Sequence, residues 1–372
     1  MRTAGYPAQK HLKGGQKVTR RVFRTFKRYY LTMIQKQPMF IAEISGNHMG
    51  SLDRAKELVQ LAANAGASAV KLQTYTAETM TLDIDSFSVS EDHPLWGGRR
   101  LFELYEEAHT PWEWHKELFD LCKELKVVPF STPFDLTAFE FLESLNTPIY
   151  KIASLETSDH ELIAEVARTL KPVIISTGAT EWDEIAEAVE IVKQVGNKDL
   201  TLLVCTSSYP ADPKDANLLR MKTLRDAFEV NVGLSDHTLG IGTSIAAIAL
   251  GATVIEKHLT VRRSDGGADG AFSMEPHEFA QLVQEGISCH SALGEAQWKL
   301  ANSEEESRRL RRTLYVVKDV VAGQTITDEN IRAIRPGQGC LPKLKNEFLG
   351  KKFASNATSG TPMSIDLVDY DS

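Results

Sequence analysis

The sequence predicts a (β/α)8 barrel followed by a small C-terminal domain, and three observations lead there. Eight short β-branched or apolar runs alternate with segments of helical period between Phe40 and Gly294, as parallel strands buried on both faces alternate with crossover helices. Eight such units in about 255 residues match a closed barrel, and no run is followed by the GxGxxG turn of an open dinucleotide-binding sheet. After the last helix, KLANSEEESRRLRR is densely charged and poor in apolar residues, as an exposed linker or polar helix between folded units would be.

The predicted strands are FIAEI ending near Glu43, SAVKLQ near Gln73, VVPFS near Ser131 and IYKIAS near Ser154. PVIIST ending near Thr177, LTLLVCT near Thr206, VNVGLSD near Asp236 and TVIEKH at His258 complete the set. In the first helix, Leu52, Ala55, Leu58, Val59 and Ala62 recur at helical spacing and Gly66 supplies the stop. Later helices start near Pro111, Leu136, Asp159, Glu181, Asn217, Thr243 and Pro276. The second connection breaks the rhythm, because roughly 35 residues, Thr74 to Thr110, separate strand two from its helix. Carrying Trp96, Gly97, Gly98, Arg99 and Arg100, it reads as a substrate-covering loop. The domain plan is an extension over 1–38, a barrel over 39–295, a linker over 296–313 and a compact module over 314–372.

Composition narrows the function. At 372 residues and 42% hydrophobic content the chain can bury a large core with room for a second small one. It has no run of about 18 uncharged apolar residues and no apolar secretory core, so the expectation is a cytoplasmic protein without a membrane span. Cys122, Cys205, Cys289 and Cys340 form no CxxC pair and read as free thiols. Residues 1–38 hold ten Lys or Arg and no Asp or Glu, while the whole chain has net charge −8. That extension reads as disordered or non-native, with Met33 or Met39 as the working start. The acidic body behind it argues against a nucleic-acid arm, the sharper alternative.

Barrel active sites sit at the C-terminal strand ends, and the polar residues fall there: Glu43, Asn47 and His48 after strand one, Lys71 and Gln73 on strand two, Lys151, Ser154 and Glu156 on strand four. Ser176, Thr177, Ser207, Tyr209, Ser235, Asp236, His237, Glu256 and His258 follow from strands five to eight. A single such residue is as readily a strand cap as a functional group, but convergence from seven strands is hard to reach by chance. His237 and His258 end adjacent strands, a placement that suits a divalent Mn, Co or Zn ion. Lys71 and Lys151 among serine hydroxyls form a cationic, donor-rich pocket for a small phosphorylated carboxylate. A Schiff-base aldolase would place a lysine here too.

The stretches IAEISGNHMGS, VKLQT, FSTPFD, YKIASLE, ISTGAT, CTSSYP, GLSDHT and EKHLT, with IRPG near the C-terminus, resemble the sialic acid synthase family from Phe40 to Asp371. The resemblance implies condensation of phosphoenolpyruvate with an acetamido-sugar on a barrel followed by an antifreeze-like (SAF) domain. It implies that His237 and His258 bind a divalent metal, Mn2+ with Co2+ or Mg2+ as alternatives, and that Glu43 assists catalysis. Lys71, Lys151, Ser154, Ser176, Ser207 and Ser235 would hold phosphoenolpyruvate. Glu156, Tyr209 and Asp269 would surround metal and sugar, and Arg335 would reach the acceptor across a domain-swapped homodimer. Ser207 stands where neuraminate synthases carry asparagine, and ASLE replaces GSGE. The stretch WGGRRLFELYEEAHTPWEWHKELF resembles the pseudaminic acid branch, whose acceptor is 2,4-diacetamido-2,4,6-trideoxy-altrose. Leu95, Trp96, Leu101 and Phe102 offer apolar surface for that sugar's methyl group. Neuraminate or legionaminate synthesis, a Schiff-base aldolase and a silent glycan-binding protein are the alternatives.

Overall fold

A computed structural model describes residues 37–371, so the basic extension lies outside the described residues except for its last two positions. The chain divides into two compact units at Gly294 and Glu295.

In the first unit, eight parallel strands close on themselves in sequence order. They are β1 Met39–Glu43, β2 Ala69–Thr74, β3 Val128–Pro133, β4 Tyr150–Ile152, β5 Val173–Ser176, β6 Leu200–Cys205, β7 Asn231–Ser235 and β8 Val254–His258. Side chains alternate between two faces of each strand, and this sorts the core. Met39, Ile41, Ala69, Val128, Phe130, Ile149, Ile174, Leu203 and Val254 form one buried cluster. A larger one, with Phe40, Ala42, Val70, Leu72, Ile152, Val232 and Ile255, packs the strands against helices. Burying such side chains contributes about 1.5–3 kcal/mol each. Toward their C-terminal ends the first set gives way to charge: Ile41 is followed at the next same-face position by Glu43, Ala69 by Lys71, and Val254 by Glu256 and His258. Register then fixes neighbours, with Glu43 opposite Lys71 and also opposite His258. At Gly233 a Cβ would come within 2.3 Å of the Val254 carbonyl oxygen, so only glycine lets β7 and β8 approach this closely.

The helices start where the sequence places caps. Ser51 accepts from the Arg54 amide at 3.3 Å ahead of Leu52–Asn64, Asp135 from Thr137 and Ala138 ahead of Leu136–Ser144, and Asp159 from Leu162 ahead of His160–Arg168. Each cap is worth about 1 kcal/mol. The long second connection, read from sequence as a substrate-covering loop, holds two short helices, Ala77–Met80 and Leu101–Ala108. Among the described residues no helix is long and apolar enough to cross a membrane.

In the second unit, β9 Thr313–Val316 pairs antiparallel with β10 Ile331–Ile334, and β11 Lys352–Phe353 with β12 Val368–Asp369. Its own core gathers Leu314, Val316, Val320, Ile326, Ile331, Phe348, Phe353, Met363 and Val368.

Candidate active site

A cavity of about 410 Å3 lies at the C-terminal ends of the barrel strands. It is lined by Lys71, Lys151, Ser154, Glu156, Ser176, Ser207, Tyr209, Ser235, His237, His258 and Asp269, eleven of the residues singled out from sequence. Glu43 is fully buried and ion-paired with Lys71. Arg335 belongs to the second unit, directly after β10. Three strand-end groups are used elsewhere: His48 packs edge-on against Trp114, Thr177 donates to the Leu203 carbonyl, and Asp236 accepts from Ser244.

Charge in the cavity is arranged around two lysines. Lys71 pairs with Glu43, stands 3.7 Å from Glu256 and donates to Thr132 Oγ1 at 3.1 Å. Burial opposes its charge, but Glu256 and Glu43 outweigh that and hold its pKa above the ordinary value. Lys151 donates to the Ile152 carbonyl at 3.0 Å, and burial lowers its pKa. Burial pushes the Glu43 carboxyl up to about 7 against the pull of Lys71, and the Glu156 carboxyl up to about 7 against that of Lys151. Above them Gly178 makes a cradle: a Cβ there would fall 2.5 Å from Ser207 Oγ and 2.9 Å from Ser154 Oγ. Glu156 Oε2, Ser176 Oγ and Glu256 Oε2 are buried without a hydrogen-bond partner among the described residues. Such groups are costly unless a ligand satisfies them.

His237 and His258 face each other with ring centroids 5.3 Å apart. His237 Nδ1 donates to the Thr206 carbonyl at 2.9 Å, which fixes its tautomer and leaves Nε2 free to ligate. His258 Nδ1 is buried without a hydrogen-bond partner, 3.8 Å from Asp269, and burial and then His237 hold its pKa well below the usual value. Asp269 in turn accepts from Ser45 Oγ. Among the described residues no three His, Cys, Asp or Glu side chains cluster as a complete metal site. Burial opposes charge on His237, but the Cys205 contact and the Thr206 carbonyl outweigh it and hold the His237 pKa above its ordinary value. The two facing imidazoles, one with an orphaned nitrogen, nevertheless fit a divalent cation that takes its remaining ligands from water or substrate oxygens.

The long second connection forms one wall. Leu101, Leu104, Tyr105 and Ala108 line the cavity at i, i+3, i+4 and i+7 of the helix Leu101–Ala108, with Met80, Val89, His93 and Trp96 beside them. The Trp96 indole N–H donates to the Ala268 carbonyl at 2.9 Å, and its ring stacks on His93 at 4.8 Å and meets Tyr209 at 5.7 Å. Of the four apolar residues expected here, Trp96 and Leu101 are in the lining, whereas Leu95 and Phe102 are not, because the helix turns Phe102 away. Leu155 is 71% exposed and belongs to the rim. The sequence reading missed Tyr75, Tyr105, Phe134, Thr132 and Cys205. The helical spacing of Leu101, Leu104, Tyr105 and Ala108 was the available signal for that face, and strand alternation the signal for Thr132 and Cys205. Burial pushes the Cys205 thiol up, but its contact with His237 outweighs this and brings it down to about 7.

Known proteins resemble this chain over most of its length. A pseudaminic acid synthase of Helicobacter pylori is 43% identical over 333 residues, covering 89% of this chain and 98% of that protein. An N,N'-diacetyllegionaminic acid synthase of Campylobacter jejuni is 35% identical, covering 86% and 97%. The crystal structure of an N-acetylneuraminic acid synthetase from Leptospira borgpetersenii in complex with citrate superposes with TM-score 0.66 at 33% identity, covering 73% of this chain and 90% of that one. The SAF domain model matches residues 311–368, and the NeuB family model matches residues 58–298. With the family model matched over 58–298 and a relative 43% identical over 89% of this chain, the chain belongs to the NeuB family.

Proposed function

We propose that this chain is a pseudaminic acid synthase, condensing phosphoenolpyruvate with 2,4-diacetamido-2,4,6-trideoxy-altrose to a nine-carbon sugar acid and phosphate. The observation that carries the reading is near-full-length identity of 43% to a pseudaminic acid synthase, against 35% to a diacetyllegionaminic acid synthase. The cavity supports it with two buried lysines for an anion and an apolar wall for a deoxygenated sugar.

Lys71 and Lys151 offset the charge of phosphoenolpyruvate, and Ser154, Ser176, Ser207 and Ser235 donate to its oxygens. Glu156, Tyr209 and Asp269 hold the open-chain acceptor so that C3 of phosphoenolpyruvate forms a bond to the aldehyde carbon. A divalent cation at His237 and His258, manganese with cobalt or magnesium as alternatives, would supply Lewis-acid polarisation of the aldehyde oxygen. That attack leaves the aldehyde oxygen as an alkoxide and C2 as an oxocarbenium ion. Water then adds at C2, and its proton passes by way of a Glu43 carboxylate oxygen to the alkoxide. The tetrahedral centre expels phosphate by C–O cleavage, its hydroxyl proton going to the departing phosphate as C2 becomes the ketone. With its pKa near 7, Glu43 can accept and return that proton near neutrality. The proposal includes a cytoplasmic homodimer in which the partner's Arg335 contacts the acceptor.

Phosphate release from phosphoenolpyruvate over a panel of acceptors tests this. The diacetamido-trideoxy-altrose should give the highest kcat/KM, N-acetylmannosamine little or none, and EDTA should abolish turnover until Mn2+, Co2+ or Mg2+ is restored. A pocket shaped for a methyl rejects a hydroxyl by only about 1–3 kcal/mol, so the preference is graded. A higher kcat/KM with N-acetylmannosamine would refute the acceptor, and full turnover by metal-free protein would refute the metal.

A further inference from the structure

Behind the histidine pair, on the opposite face of the same two strands, sits a buried charge network that the reaction does not use. Strand alternation turns Glu256 and His258 to the cavity and Lys257 away from it. At the end of β7 and just beyond it, Ser235 and His237 line the cavity and Asp236 does not. Lys257 and Asp236 meet there, Nζ to Oδ2 at 3.2 Å, each side chain only 1% exposed. Lys257 also donates to the Thr238 carbonyl. Asp236 is saturated: Oδ1 accepts from the Thr238 amide at 2.9 Å and the Thr238 hydroxyl at 2.7 Å, and Oδ2 from Ser244 Oγ at 2.6 Å. Ser244 lies in the first turn of the helix Gly242–Ala249 that follows β7.

Burying two charges is costly, and well-packed apolar residues would stabilise the fold as well or better. What the pair does provide is a fixed distance. Lys257 is the chain neighbour of His258, and Asp236 is the chain neighbour of His237. The Lys257–Asp236 bond therefore ties together the two backbone segments that carry the imidazoles, while Ser244 and Thr238 fix the His237 side to the following helix.

We propose that Lys257 is a positioning residue for the metal site: through Asp236 it sets the separation and orientation of His237 and His258. The inference rests on the reading of those histidines as metal ligands. It assigns to a lysine outside the cavity a role in metal affinity.

The test is Mn2+ binding by isothermal titration to the purified full-length protein, in wild type, in Lys257→Met and in the paired variant Lys257→Met/Asp236→Asn, with far-UV circular dichroism as the folding control. The paired variant leaves no unmatched charge and should keep the wild-type spectrum. Its Kd for Mn2+ should rise 10- to 100-fold, the usual cost of losing support behind a ligand. Its turnover should recover as Mn2+ is raised, with the KM for phosphoenolpyruvate unchanged. A purely structural role would lower the unfolding midpoint and leave Kd alone, so a folded paired variant with wild-type Kd overturns the proposal. Should both charge variants fail to fold, Ser244→Ala, which removes one hydrogen bond from Asp236, reads the same quantity, and an unchanged Kd there also overturns it. Wild-type protein that binds no Mn2+ would instead remove the metal reading itself.

Discussion

Glu156 shows how the cavity treats a single side chain. It lies in the turn after β4, close enough to Lys151 and Tyr105 to share their fields, with Oε2 buried and unpartnered. Burial pushes its carboxyl from the usual 4.5 to about 7 despite Lys151. The folded-state value lies above the unfolded one, so the folded protein holds this proton more tightly between those two pH values. The stability it contributes is complete below pH 4.5 and lost as pH rises through 7. Glu156→Gln should therefore leave the unfolding free energy near wild type at pH 5 and raise it at pH 8, by up to about 3 kcal/mol. Urea unfolding at the two pH values decides this, and an equal change at both would contradict it. The same substitution should lower kcat/KM for the acceptor, because a group kept unpaired inside a cavity is kept for a ligand. The position was legible from the sequence, as a polar residue at a strand end. The shifted proton affinity was not, because it comes mainly from burial, which depends on how segments distant in sequence close over the strand end.

Among the elements, strands and helices of the barrel were the most legible. A parallel strand covered on both faces must be apolar throughout, and a covering helix must be apolar on one side, so each writes its own period into the sequence. The helix Leu101–Ala108 was hidden because it is only eight residues long and starts at Arg100, which makes no side-chain cap. Its role becomes clear only from its neighbours. Segment 81–100 is held by main-chain bonds between Val89 and Arg99, Gly98 and Val89, and Leu101 and Phe87. Arg100 ties it outward to Asp83, Asp85 and Glu103. Trp96 is its anchor over the cavity, bonded to Ala268 and packed on Tyr209, whose ring lies 4.5 Å from that of His237. Trp96→Ala removes one hydrogen bond and two ring contacts, together worth about 1–2 kcal/mol. The expected result is an acceptor KM raised roughly tenfold with little change in the KM for phosphoenolpyruvate, read from phosphate-release kinetics. Equal weakening of both substrates would mean that the segment shields the whole cavity and not the acceptor end alone.

For the molecule as a whole, two independent cores set what can be separated. The first unit closes all eight strands into a barrel with no open sheet edge and carries its own apolar clusters. The second has a core of its own around Leu314, Phe348 and Phe353. Residues 37–294 should therefore fold cooperatively without 295–372, with a helical far-UV spectrum and a single unfolding transition. Turnover is a separate matter, because the proposed homodimer places the acceptor arginine on the second unit of the other subunit. The fragment should still bind phosphoenolpyruvate through Lys71 and Lys151 but lose at least a hundredfold in kcat/KM for the acceptor, and Arg335→Ala in the full chain should reproduce the acceptor defect alone. Complementation then separates a role across the dimer from one within a chain. Lys71→Met disables a barrel and Arg335→Ala disables the second unit, so each homodimer is inactive. A mixed dimer across which Arg335 acts contains one intact barrel served by one intact arginine. Co-refolded equal mixtures should regain up to about a quarter of wild-type turnover, since half the dimers are mixed and each has one working site of two. If Arg335 acts within its own chain, every mixed dimer pairs a dead barrel with its own good arginine and a good barrel with its own missing one. Phosphate release would then stay at the level of the separate variants, and the swapped arrangement would be wrong.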